Sequence, residues 1–174
     1  MSVPFDDCFA LIHELTREGR FAEAIFLLLD ARTGRINNHF AGDMNHAWYC
    51  VADSMFRLGD IRGSITAFKK ALAFNPDDVE CLLAIANCYD ALRRPKLAER
   101  YLRKALVLKP KGRNKAAVLL NLGNALMDQL RWSDAIDCLN PLSKRKDDIG
   151  IAARKNRVLA LGIMKKAIRN QGSL

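Results

Sequence analysis

Three histidines (13, 39 and 46) and five cysteines (8, 50, 81, 88 and 138) are the side chains that could hold a metal ion or supply a nucleophile. Zinc sites are commonly announced by Cys-x2-Cys pairs or closely spaced histidines, and a catalytic thiol needs a base beside it. Neither arrangement is legible here: the histidines lack metal-ligand spacing and the cysteines are scattered without a Cys-x2-Cys pair. Cys50, Cys81, Cys88 and Cys138 fall on predicted helices among apolar neighbours and read as small core residues. The paired acids Asp6-Asp7, Asp77-Asp78 and Asp147-Asp148 could in principle share general acid and base work, but they stand where helices begin and read as caps. No glycine-rich loop is present to cradle a phosphate. The expectation is a chain that is not an enzyme and that uses no cofactor and no metal.

If the residues do not announce chemistry, the elements that carry them must say what the chain is for. At 174 residues, half of them apolar, the chain is long enough to bury a continuous core as one domain. Its five prolines and ten glycines do not gather into a linker. The opening stretch, MSVPFDDCFALIHEL, has no basic region before its apolar part, so no signal peptide is expected. Apolar runs are only a few residues long, far short of a membrane span. With an odd number of cysteines and no disulfide framework, the expected setting is reducing and cytoplasmic. The net charge of +9 is unevenly divided: residues 1–92 carry 8 Lys/Arg against 13 Asp/Glu, and residues 93–174 carry 20 against 6.

A pattern repeats along the chain. Trp48, Val51-Ala52, Met55, Gly59-Asp60, Ser64, Phe68, Ala71 and Pro76 recur 34 residues later as Leu82, Ile85-Ala86, Tyr89, Ala98, Leu102, Ala105 and Pro110. A further 37 residues on come Leu119, Leu122-Gly123, Leu126, Ala135, Leu139 and Leu142. Forty residues before Trp48 the series begins with Cys8, Leu11-Ile12, Leu15, Gly19, Ala24, Leu28 and Ala31. This spacing resembles the tetratricopeptide repeat, a helix–turn–helix unit with the pattern W-x2-L-G-x2-Y, then A-x3-F, then A and P. The resemblance covers roughly residues 5–149, best at 45–78 and 79–112; the first and fourth units lack the closing proline and replace the tryptophan with Cys8 and Leu119.

It implies an all-α, right-handed superhelical solenoid of four hairpins, at about 5–38, 45–78, 79–112 and 116–148, forming a single domain over 1–170. Small residues (Ala52, Ala86, Gly123) mark where the helices of a hairpin cross, and Ala71, Ala98, Ala105 and Ala135 where the next hairpin approaches. Asp77 with Glu80 reads as a capping box, Pro95 opens a helix, and Asp147 caps a final helix over about 149–169 that covers the end of the stack with a polar outer face. The tail 171–174 is expected to be disordered.

The resemblance also implies that the first helix of each hairpin lines a concave groove where ligands bind. The outward positions there are Phe9, His13, Thr16 and Arg17; His46, Tyr49, Asp53, Phe56 and Arg57; Glu80, Leu83, Asn87 and Asp90; and Leu120, Asn121, Asn124, Met127 and Asp128. Aromatic and aliphatic anchors between amides and carboxylates suit a peptide or helix, although solvated helix faces carry the same residue types. Some members of the family grip a partner's terminal carboxylate with lysines and asparagines. Asn87 and Asn121 match the asparagines, but Leu83 stands in the place of the first lysine, so no such clamp is expected.

A basic ridge comprises Arg93, Arg94, Lys96, Arg100, Arg103, Lys104, Lys109, Lys111, Arg113 and Lys115, with further groups at 144–146 and 154–157. It could serve as a solvated face, dock an acidic protein, pair with the acidic half of a second copy in a homo-oligomer, or attract nucleic acid. The last reading lacks stacking aromatics, since Tyr101 and Trp132 both fit core positions. The resulting expectation is an adaptor or chaperone-like module that takes a peptide or helical segment of another protein in its groove. Polyanion binding and self-association are the alternatives.

Overall fold

Apolar residues at helical spacing bury one stripe of each helix, and the turns between stripes fold each pair back on itself. The computed structural model describes residues 5–171, with side chains over 9–169. Among them run nine α-helices: α1 (Phe5–Arg17), α2 (Phe21–Leu28), α3 (Met44–Arg57), α4 (Ile61–Phe74), α5 (Val79–Ala91), α6 (Pro95–Val107), α7 (Gly112–Met127), α8 (Trp132–Leu139) and α9 (Asp148–Gln171). Extended pairing among these residues is confined to one antiparallel bridge, Leu29–Ile36. Backbone contacts divide the chain into two units, Met1–Cys88 and Tyr89–Leu174, the division falling inside α5.

In the first unit α3 packs along α4 and against α2. Ile12, Leu28, Val51, Ala52, Phe68, Ala71, Leu82 and Ile85 are sealed from water. Trp48 is buried, with the Lys70 ammonium 3.9 Å above its ring. The six residues inserted after the first hairpin fold as a 3₁₀ helix, Asn38–Asp43, which buries Phe40. Phe40 meets the edge of Phe9 at 5.2 Å, so Phe9, expected to face outward, is instead covered. The correction has a plain cause: a regular repeat would carry no residue at Phe40 to lie on it.

In the second unit α7 packs on α6 and α8, and α9 packs on α7 and α8. Leu139, Leu142, Ala116, Ile149 and Ala153 form one buried cluster there. A Cβ placed on Gly123 would stand 2.8 Å from Leu139 Cδ2, so α7 and α8 cross where only hydrogen fits. The final helix buries Ile149, Ala153 and Ala160 but leaves Ile151, Val158, Leu159 and Ile168 more than half exposed. Its outer face is therefore not the polar one expected of a cap. A 24-residue helix outreaches the two helices it packs on, and its apolar residues lie on more than one side.

All four hairpin turns share one backbone solution. The N–H groups of Arg20, Asp60, Arg94 and Arg131 donate to the carbonyls of Leu15, Met55, Tyr89 and Leu126, at 2.8–3.0 Å. The residue before each donor, Gly19, Gly59, Arg93 and Leu130, lies in the left-handed region at φ 78°, 86°, 55° and 60°. This is the Schellman closure, which satisfies carbonyls that a helix end would otherwise leave bare.

Two caps refine the sequence reading. Asp78, not Asp77, caps α5: its Oδ1 accepts from the N–H groups of Glu80 (2.9 Å) and Cys81 (3.0 Å). The helix starts one residue later than the capping-box spacing assumed, and the Asp78 carbonyl accepts its first intrahelical bond, from Leu82 N–H at 3.1 Å. Asp147 does cap α9, accepting from Gly150 N–H at 3.1 Å. Of the tail expected to be disordered, Gln171 ends α9, and 172–174 lie outside the described residues.

Candidate functional site

Helices α1, α3 and α5 carry most of the side chains predicted to face a ligand, and in the first unit several of them converge. Tyr49, Asp53, Phe56, Arg57, Phe68, Ala84 and Asn87 line a recess of about 150 Å³. Its aromatic wall is Tyr49 packed edge-on to Phe68, ring centres 5.3 Å apart. Asp53 reaches Arg57 one turn on at 3.8 Å. Burial, helped by Asp53, pushes the Tyr49 hydroxyl well above its ordinary value, so it stays a neutral donor and acceptor. The recess thus offers an apolar floor with an amide, a phenol, a carboxylate and a guanidinium at its rim.

Beside it, the His46 ring lies parallel to Tyr49 and edge-on to Phe9. His13 of α1 reaches His46 of α3, Nε2 to Nε2, at 3.1 Å. Cys50, one turn beyond His46, sets its sulfur 3.6 Å from the same His46 nitrogen. Burial first, and the nearby His13 second, hold His46 below the ordinary imidazole range. Burial also pushes the Cys50 thiol up to about 12. The sequence reading placed both histidines on the ligand face without pairing them, and assigned Cys50 to the core. The legible signal was His46-x3-Cys50, one helical turn apart; the approach of His13, 33 residues away, is a tertiary fact.

Arg17, Asn87 and Asp90 are exposed, while Asp53, Phe56, Asn121 and Asn124 are half-buried. In the second unit Asn124 Oδ1 accepts from Asn156 Nδ2 of α9 at 2.7 Å, so the last helix lies against this position. Asp128 joins Arg94, Pro95, Lys96, Leu97, Gln129 and Arg131 around a wider recess of about 660 Å³. That recess mixes a residue predicted for the groove with residues predicted for the basic ridge. Glu99 anchors its edge, accepting from Arg131, Arg103 and Gln129 at 2.8–3.0 Å. The ridge residues Arg93, Arg94, Lys96, Arg100, Arg103, Lys104, Lys111 and Arg113 are all exposed. Arg113 is engaged with Asp148 at 3.2 Å.

Comparison with known proteins bears on the helical pairs. A family model described as tetratricopeptide repeat matches residues 55–111. Residues 55–111 thus carry tetratricopeptide repeats. Among curated proteins it resembles the CTR9 homolog of Arabidopsis thaliana, 31% identical over 80 residues. That match spans 46% of this chain and only 7% of the relative. Among solved structures, TPR-like repeats of a kinesin-light-chain-type protein from Podosopora anserina superpose with a TM-score of 0.71 at 15% identity, covering 99% of this chain and 93% of that one. MamA residues 41 to the end, from Desulfovibrio magneticus RS-1, superpose at 0.65 with 17% identity, covering 99% and 98%. At such identities the likeness is one of fold. Tetratricopeptide repeats generally mediate contacts between proteins and serve as scaffolds without catalysis. No helix among the described residues is long and apolar enough to cross a membrane.

Proposed function

We propose that this tetratricopeptide-repeat chain is an adaptor or chaperone-like module that takes an extended or helical segment of a partner protein on the face of α1, α3 and α5. The observation that carries this is the recess walled by Tyr49 and Phe68 and rimmed by Asp53, Phe56, Arg57 and Asn87. An aromatic floor gives a partner's apolar side chain a dry seat, and polar groups at the rim fix its backbone. His13, Arg17 and His46 extend the same face within the first unit, and Asp90 belongs to the second. Asn121, Asn124 and Asp128 are that face's counterparts in the second unit, where Asn124 already serves α9.

A second reading, polyanion binding at the basic ridge, draws support from the wide recess bearing Arg94, Lys96 and Arg131. Arg131 is largely neutralised there by Glu99 and Asp134, which favours the first reading.

The test is capture of binding proteins from native lysate on wild type, on a Tyr49→Ala/Phe56→Ala variant and on an Arg94→Glu/Lys96→Glu variant. Partners held by wild type and the charge-reversed chain, but lost from the aromatic variant, support the groove. Partners lost only on charge reversal, and released steeply by salt, assign binding to the ridge instead.

A further inference from the structure

His13 and His46 border the proposed groove face, and with Cys50 they form a cluster whose capacity to hold a metal ion that reading does not use. Its three donor atoms come from two helices and lie within 4.8 Å of one another. We propose that His13 Nε2, His46 Nε2 and Cys50 Sγ form a three-ligand site for a zinc-class divalent ion, with a fourth position open toward solvent.

The distances carry the inference. Tetrahedral zinc, with bonds of about 2.0–2.1 Å to imidazole and about 2.3 Å to thiolate, separates nitrogen from nitrogen by about 3.3 Å and nitrogen from sulfur by about 3.6 Å. The observed separations are 3.1 Å between the imidazole nitrogens and 3.6 Å from His46 to the sulfur. Two of the three edges of the ligand triangle are therefore in place, and rotating the exposed His13 ring inward closes the third.

The donor set also matches in chemistry, since two imidazoles and one thiolate suit a borderline ion that favours four-coordination. His46 and Cys50 project from successive turns of α3, so a single rigid helix fixes two ligands. The Asp43 side chain, accepting from His46 N–H at 2.9 Å, anchors the start of that helix. Phe9, stacked edge-on to His46 at 4.6 Å, gives the site an apolar wall. His13 is exposed and Cys50 buried, so the ion would sit at the surface with its sulfur on the inner side. Protons balance simply. One imidazole of the pair moves its proton from Nε2 to Nδ1, the Cys50 thiol releases its proton to solvent, and the ion takes all three lone pairs.

The site shares His13 and His46 with the proposed groove face, but its test reads metal binding and not partner capture, so either reading can fail without the other. The test uses the full chain, reduced and without a histidine tag, titrated with Co²⁺ and then with Zn²⁺. The expected result is one equivalent of Co²⁺ bound, with the visible bands of a four-coordinate ion and a thiolate-to-cobalt charge-transfer band, all displaced by one equivalent of Zn²⁺. Cys50→Ser should abolish the charge-transfer band. His13→Ala and His46→Ala should each weaken binding by about 10-fold or more, since even partners behind a ligand cost that much. His39→Ala and Cys138→Ser should bind as wild type does. His13 is exposed, so its variant keeps the fold, as its helical circular dichroism should verify. Absence of a stoichiometric cobalt complex overturns the proposal, and so does a charge-transfer band that survives in Cys50→Ser or affinity unchanged in His13→Ala.

Discussion

Two glycines show how differently the same residue type behaves within one unit of this chain. A methyl group at Gly123 would press on Leu139 at 2.8 Å, whereas one at Gly162 meets nothing within 4 Å. Gly123→Ala should therefore destabilise the protein by about 1–3 kcal/mol through overpacking. Gly162→Ala should stabilise it by about 0.5–1 kcal/mol, because an exposed helix interior favours alanine. Urea unfolding of the two variants beside wild type checks both signs. The first of these glycines was legible in the sequence, since the repeat places a small residue there. The second was not, and neither was the meeting of His13 with His46. Repeat positions say which face a residue occupies, but which side chains touch depends on how far one helix slides past the next. The insertion at 38–43 sharpens the lesson, for it put Phe40 over Phe9 where periodicity alone left Phe9 exposed.

Helix starts are set by capping chemistry, and two carboxylates here make that testable. Asp78→Ala removes the acceptor for two backbone N–H groups of α5 and should cost about 1 kcal/mol, while Asp77→Ala should cost little; thermal unfolding of the pair discriminates them. Asp147 is held at about 2, below its ordinary 3.8, first by the Arg145 guanidinium and then by Gly150 N–H. A carboxyl whose folded value is depressed stabilises the fold above its unfolded value and loses that contribution as pH falls toward the folded one. The stability gap between wild type and Asp147→Asn should thus be full above about pH 4 and shrink progressively towards pH 2. Denaturant titrations at stepped pH measure it, and a gap that does not change over this window would refute the assignment. The helix pattern itself was readable throughout, because apolar stripes and small crossing residues recur with the repeat. What escaped was the exact residue at which each helix begins, since two adjacent aspartates offer the same side chain one step apart.

At the scale of the whole molecule, repeat proteins are held together by neighbours touching neighbours, not by one shared centre. Leu139 is sealed in a cluster with Leu142, Ile149, Ala116 and Ala153. Leu139→Ala should cost about 2–5 kcal/mol. That loss should appear as faster amide exchange across α7, α8 and α9, while α1 and α2 keep their protection. Hydrogen-exchange mass spectrometry resolves the two regions. Uniform loss of protection from end to end would mean that the chain unfolds as one block.

The four hairpin turns follow a single backbone path, yet glycine stands at the left-handed position in two and Arg93 and Leu130 in the others. A left-handed residue with a side chain is under tension that glycine does not feel. The later turns are therefore loaded springs and the earlier ones slack hinges. Leu130→Gly should relax one spring and slow the local opening of its hairpin, while Gly59→Leu would wind one up.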